Sequence, residues 1–511
     1  MKKNITCSWV IGVALFMGFV LAGCESSPPV SEPVDLTRVT SYYVRANGND
    51  INAGTSEAMP FKTLSRAVEA ASGSTVKTIT VTGTLASALP NITNGTGAEE
   101  ILITGKADAA ANDKAVLQIP AEGEAFTIGG ASRIRFEHIT ITGGEMGGIE
   151  VNEGATVTLG QGAVVSGNSR KYGGGIKVSK GTLVLQGNAL VTKNSANAGG
   201  GIAVLGSGTI LMKDNALVSE NEASTNDEGK DGEGGGVYAE AAEITMEGNA
   251  AIVKNEGYWG AGLYIDNKSA LVMREGASIR ENSVFFKKDG SYGGSGGGVY
   301  LLGSLTMRDT SVISGNAALF GGGIYIDNTT VVMEDRSAIK DNKAVAGIKD
   351  DGTLFGGFGG GINVGKNGKL TMKGESSLAG NSGLFGGGLR VFSTAQAALE
   401  GRASITGNEA RRNTEQKYGG SGGGVYVNTD GTITLKDSTA VRDNNAFWGG
   451  GIDLYGVLVL EGKAAITGNT VGAYQGGGVY VNANEGGVIT GDESLISGNE
   501  AAEGADIYTT K

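Results

Sequence analysis

The chain has 511 residues, with 90 glycines, six prolines, two cysteines, one histidine and a formal charge of −12. Glycine is more than twice as frequent as in an average protein, yet 40% of the residues are hydrophobic, which excludes a disordered glycine-rich linker. An acidic chain without a basic stripe argues against nucleic acid as a partner, and a chain with no proline after Pro120 suits long hydrogen-bonded strand ladders.

Residues 1–24 read MKKNITCSWVIGVALFMGFVLAGC. Lys2 and Lys3 make a basic start, and the apolar stretch after them is too short for a comfortable membrane span, the layout of a secretory signal over residues 1–23. The closing LAGC resembles the lipobox of bacterial lipoproteins. That resemblance implies that Cys24 is acylated and becomes N-terminal, while Cys7 leaves with the signal. The mature chain would then hold neither a disulfide nor a thiolate metal site. Residues 24–40 contain ESSPPVSEPVDLT, a Pro/Ser-rich tether, and the lipid would be the only membrane anchor. The implied address is the bacterial cell envelope, at the outer membrane, with periplasmic and outward display both open.

Residues 41–75 carry a short amphipathic pattern in which Phe61, Leu64, Val68 and Ala71 share one face and Gly73 can stop the helix. Such a helix would lid the open end of a stacked structure. Residues 76–150, with TITVTGTL, EILITGK and RIRFEHITITGG, read as irregular first coils of β-structure.

From 151 to 511 the chain repeats. GGG followed by Ile, Val or Leu begins at 173, 199, 234, 296, 321, 359, 386, 422, 449 and 476, with a GAG variant at 260–262. It alternates with an aliphatic residue, two positions and an asparagine: Asn168, Asn194, Asn221, Asn255, Asn282, Asn316, Asn342, Asn381, Asn408, Asn444, Asn469 and Asn499. The spacing is mostly 25–27 residues, and the longer intervals place their excess between Asn and triplet, at 222–233, 283–295, 343–358 and 409–421. Within a unit, GIYIDN, TVVMED and SAIKDN read as three short strands with period-two alternation. The fold class is therefore all-β: a right-handed parallel β-helix of three strands per coil and about 13–14 coils, roughly 65 Å long at ~4.8 Å per coil. Glycine supplies positive φ and close approach at the corner, and stacked asparagine amides are expected to hydrogen-bond as a ladder. A phosphate loop is excluded, because no triplet opens a helix or precedes Lys-Ser/Thr.

The paired GGG-Ile/Val and Ile/Val-x-x-Asn marks over residues 165–508 resemble the GGAI and FxxN repeats of the polymorphic outer-membrane protein family, which implies a surface β-helix engaged in adhesion. Here Gly stands for Ala and an aliphatic residue for Phe. That family continues into a membrane barrel, whereas this chain stops at EGADIYTTK, so the lipid would take the barrel's place. Residues 42–72, YYVRANGNDINAGTSEAMPFKTLSRAVEAAS, resemble the entry segment of pectate-lyase-like right-handed β-helix proteins, many of which cut acidic polysaccharides.

His138 has no identifiable serine or cysteine partner, and one histidine without a free thiol argues against ordinary zinc sites; no metal and no cofactor are expected, beyond loose calcium at the KDG runs 230–232 and 288–290 and KDDG at 349–352. YIDN occurs twice, placing Asp266 and Asp327 on one outer face two coils apart, at ~10 Å, the weak catalytic alternative. Tyr238, Tyr264, Tyr300 and Tyr325 occupy one position in four consecutive coils, and Tyr426 and Tyr480 return there later. Such a column either stabilises adjacent strands or packs against sugar rings or a partner protein. The expectation is an envelope lipoprotein whose non-catalytic β-helix binds a protein or glycan partner of the host or envelope, in adhesion. The alternative is a polysaccharide lyase or glycoside hydrolase acting on extracellular glycans.

Overall fold

The structure is a computed structural model and describes residues 40–86, 89–93, 99–224, 231–287 and 293–510. The signal, Cys24 and the tether lie outside the described residues, except that residue 40 is included. Residues 40 onward form one compact unit, a right-handed parallel β-helix.

The coil that begins at Gly321 shows how the repeat is used. Its triplet leads into strand Ile324–Ile326, then Thr330–Met333, then Ala338–Lys340. Each strand pairs in parallel with its counterpart in the next coil: Ile324 with Ile362, Val331 with Leu370, and Ile339 with Leu378. The three ladders reach 14, 16 and 14 strands. A fourth ladder of 11 short strands follows the asparagine; Lys343–Ala344 is its member here. Alternation turns every second side chain inward, so each ladder buries a column of like residues. Six methionines, Met212, Met246, Met273, Met307, Met333 and Met372, stack in one such column and are fully buried.

The asparagines form the ladder that their spacing predicts. Each Nδ2 donates to Oδ1 of the asparagine one coil on, at 2.9–3.0 Å, without a gap from Asn168 to Asn499. It also donates backward: Asn316 Nδ2 reaches the Ile279 carbonyl at 3.1 Å. Its Oδ1 accepts from both the backbone N–H and the amide of Asn282, at 2.9 Å each. One side chain thus ties three coils together, in a core that excludes water.

The glycine triplet makes this packing fit. Gly321 has φ of +63°, and a Cβ there would lie 2.1 Å from the Ile324 carbonyl oxygen. A Cβ on Gly323 would sit 2.6 Å from the Gly361 carbonyl oxygen and 3.1 Å from the Asn342 amide. The third glycine is the space into which the asparagine that closes the same coil fits. Where that space is not needed for another asparagine, it is filled. Asp506 stands at the third position of the final Gly504-Ala505-Asp506 unit, and its carboxylate accepts from the Asn499 backbone and amide nitrogens at 3.0 Å. The last repeat is therefore a cap on the ladder, a role its divergence from the motif concealed.

At the other end the helix Leu64–Ser72 buries Leu64, Val68 and Ala71, as its pattern predicts, together with Ala67, while Phe61 lies before the helix, buried and bridged to Val44. Thr63 caps it through the Arg66 N–H, and the Asp50 carboxylate fixes the approach by accepting from Lys62 and Thr63 N–H at 2.8 and 2.9 Å.

The insertions fall between ladder and triplet, and the fourth continues the alternation of the first three. Among the described residues two carry antiparallel strand pairs, Ala346–Ile348 with Leu354–Gly356 and Arg412–Asn413 with Tyr418–Gly419, and in another Phe286 bridges Gly293 antiparallel. They reach over the intervening uninserted coil to meet: Tyr418 Oη donates to the Gly356 carbonyl at 3.2 Å, and Phe286 packs edge-on against Phe355.

Replacing Asn316 with Leu removes the donors and acceptor for its neighbours in a site without water. The expected loss is about 2–3 kcal/mol in urea unfolding, with the released Asn282 amide exchanging faster with solvent. Asp506→Gly is expected to loosen only the last coil, read as faster amide exchange at Asn499 with the central coils unchanged.

Candidate functional site

Two neighbouring rows of side chains run along the sheet that follows the triplets. The first holds the residue before each triplet, which bridges in register from coil to coil: Glu233, Trp259, Ser295, Phe320, Phe358, Phe385, Ser421 and Trp448. The second holds the residue after GGG-Ile/Val, the predicted tyrosine column. Between the two rows each coil carries glycines and one inward aliphatic residue, with the buried Ala261 in place of one glycine, so no outward side chain separates them.

The tyrosines are in register and stacked. Ring centroids are 5.4 Å apart for Tyr238–Tyr264, 5.3 Å for Tyr264–Tyr300 and 5.1 Å for Tyr300–Tyr325, with planes within 17°. Asn363 and Arg390 then occupy the row before Tyr426, and Asp453 intervenes before Tyr480. Phe320, Phe358 and Phe385 stack likewise in the first row, at 5.6 and 4.8 Å. The rows touch through edge-on contacts, Trp259 with Tyr300 and Phe385 with Tyr426. The stacking supports the strands, and the rings remain partly exposed.

A cleft of about 430 Å³ opens on this face. Trp259, Phe320, Tyr300 and Tyr325 line it on the aromatic side, and Asp327, Asn363, Lys366, Arg390 and Phe392 on the polar side. Burial pushes the Asp327 carboxyl above its ordinary value. Burial also raises the tyrosine hydroxyls, Tyr264 and Tyr426 to about 12, so they stay protonated as donors. The Arg390 guanidinium lies 4.2 Å over Phe358 and 4.8 Å over Phe392. Its Nε donates to Asn428 Oδ1 at 3.0 Å and its Nη1 to Asn363 Oδ1 at 3.4 Å. A second cation, Arg412 from the last insertion, lies 4.4 Å over Trp448 and 5.7 Å over Tyr474.

Asp266 and Asp327 do not share the cleft. They follow Ile265 and Ile326, which sit two coils apart with Leu301 between them. Asp266 is spent on its own turn: its carboxylate accepts from Ala241 N–H, Lys268 N–H and Ser269 Oγ at 3.1, 3.1 and 2.5 Å. His138 lies in a bend with φ of +48°, between strands rather than on one as its sequence context suggests. Residues 230 and 288–290 fall outside the described residues, and Asp351 of the third acidic run accepts from Thr353 N–H at 2.9 Å. Among the described residues, no three His, Cys, Asp or Glu side chains come together as a metal site.

The sequence shows an aromatic residue before the triplet where no insertion exists, Trp259, Phe320, Phe385 and Trp448, but the reading drew no site from that row and did not single out Asn363 or Arg390. Their signal was available, since each sits at a fixed offset from a triplet, but nothing local marks these offsets as facing one another. Comparisons with protein-family models, with curated proteins and with solved structures gave no match.

Two acids at the margins of this face share one property. Burial raises Glu233 and Asp453 to about 7 from ordinary values of 4.5 and 3.8. Asp453 is fully buried, accepting from Asn482 Nδ2 at 2.9 Å. Between about pH 4 and 7 the folded chain keeps a proton on Asp453 that the unfolded chain has released, so this group makes stability fall as pH rises through that window. Asp453→Asn keeps the acceptor and removes the titration. The variant is expected to unfold at a higher temperature than the parent at pH 8, with the difference closing by pH 4 in thermal melts.

Proposed function

We propose that the protein is a lipid-anchored envelope protein whose β-helix binds a glycan chain along the aromatic face without cleaving it, a role in adhesion. One observation carries this reading: two in-register rows of aromatic rings, with no outward side chain between them, flank a cleft that mixes ring faces with hydrogen-bonding groups. Sugar rings present apolar faces and a rim of hydroxyls, and aromatic platforms with a few fixed polar groups match both. The stack is rigid, so little ordering cost attends binding. The lipobox-like LAGC supports anchoring at Cys24, and the glycine–asparagine marks support kinship with surface β-helix adhesins. The pectate-lyase-like entry segment is compatible with a glycan ligand.

Cleavage is the competing reading, and Asp327 is its best-placed group because it is the carboxylate lining the cleft. General acid–base hydrolysis of a glycosidic bond needs a second carboxylate across the bond, and Asp266 is committed to its turn.

The test is a screen of the purified soluble chain, lacking residues 1–24, on a glycan array. Retention of specific glycans is expected, weakened about tenfold or more in a Trp259→Ala/Tyr325→Ala variant whose thermal midpoint is measured alongside. No retained glycan would overturn the reading. Release of reducing ends or unsaturated products, lost in Asp327→Asn, would establish the enzyme instead. For the anchor, Cys24→Ala is expected to move the protein from the membrane fraction to the soluble fraction.

A further inference from the structure

Arg390 interrupts the tyrosine column, in register between Asn363 and Tyr426. A half-buried cation in a protein is ordinarily paired with a carboxylate. Arg412 rests instead on the rings of Trp448 and Tyr474 and donates to Tyr474 Oη at 3.4 Å, but Arg170 and Lys177 follow that rule, sharing Glu150 at 3.3 and 2.9 Å. Arg390 has no such partner among the described residues. Its hydrogen bonds go to the neutral amide oxygens of Asn363 and Asn428, and Nη2 makes none. The surrounding titratable groups are Tyr325, Tyr418 and Tyr426, which are neutral at physiological pH, so nothing cancels the charge.

The arrangement holds the guanidinium rather than satisfying it. Phe358 and Phe392 fix its plane, and the two asparagines fix its Nε and Nη1. What remains is a donor group in a cleft that also contains exposed Lys366. A fixed guanidinium fork matches an oxyanion better than any neutral acceptor, and the low-dielectric aromatic setting strengthens the contact. The opposing charge in the cleft is Asp327, two coils back, about 10 Å along the stack, and two positions beyond Tyr325, which is the residue in register with Arg390. The cleft is thus polarised along the axis, with its positive end at Arg390.

We propose that Arg390 is the specificity point of this face and receives an oxyanion substituent of the ligand, a carboxylate or an ester sulfate borne on the sugar chain. This rests on the glycan-binding reading above. The net charge of the chain is −12, so unspecific attraction of polyanions is disfavoured and recognition must come from a local site.

The experiment uses an array of matched neutral, carboxylated and sulfated glycans, with the parent chain, Arg390→Gln and Arg390→Lys. The parent is expected to prefer acidic glycans, and which acid is retained identifies the source of the oxyanion. Arg390→Gln should lose about tenfold or more on the acidic glycans with little change on neutral ones, and Arg390→Lys should recover only part of the loss. The thermal midpoint of Arg390→Gln should equal or exceed that of the parent, since an unpaired half-buried charge is removed; a structural role would lower it. Equal retention of neutral and acidic glycans, or an unchanged preference in Arg390→Gln, overturns the oxyanion site and leaves the glycan-binding reading intact. Retention of no glycan at all overturns both.

Discussion

A buried amide that no water can reach must find every partner at its own height in the stack, and in this protein the partners are the same amide one coil up and a carbonyl one coil down. Asn316 and its eleven counterparts therefore impose a single register on the β-helix. A one-residue slip in any ladder would both break these bonds and turn an aliphatic column to solvent. The glycine triplets follow from the same demand, because a Cβ on the third glycine would occupy the space of the next asparagine. Even the final unit obeys it, with the Asp506 carboxylate supplying the acceptor that Asn499 needs.

The constraint also dictates where the chain can vary. Asparagine and triplet are fixed points, so length can be added only between them, and all four insertions lie there. Each leaves the stack after the short fourth ladder and returns at the residue before the triplet. Insertions in alternate coils leave room for one another's side chains: Leu319 and Leu384 of the uninserted coils pack beneath the glycines that end the neighbouring insertions. Described residues of neighbouring insertions touch, through Tyr418 and Gly356 and through Phe286 and Phe355, while the ladders beneath keep their register.

A rigid core frees most outward positions from the demands of folding. The row that begins with Tyr238 accepts Tyr, Asn, Arg or Asp because its inward neighbours, Ile and Val, supply the burial. Chemistry on this face is written as exceptions to a repeat. Stacked rings provide a continuous apolar track, and Asn363, Arg390 and Asp453 break it at defined heights. Arg390 is the exception whose charge has no internal explanation, and Asp453 is buried enough to keep its proton near neutrality.

Local pattern alone determined the coil, the asparagine ladder, the tyrosine column and the capping helix, because each is written as a period within one segment and a parallel stack copies that period without change. The fourth ladder escaped such reading, since strands as short as Lys343–Ala344 have no period to detect. Asp506 looked like a degraded repeat because its meaning lies in the amide it receives, not in its neighbours along the chain. The pairing of Trp259 with Tyr300, the isolation of Arg390 and the separate fates of Asp266 and Asp327 were decided only in three dimensions. They depend on which residues from coils 25–39 positions apart come side by side and how much water their contacts leave, and no single coil encodes either.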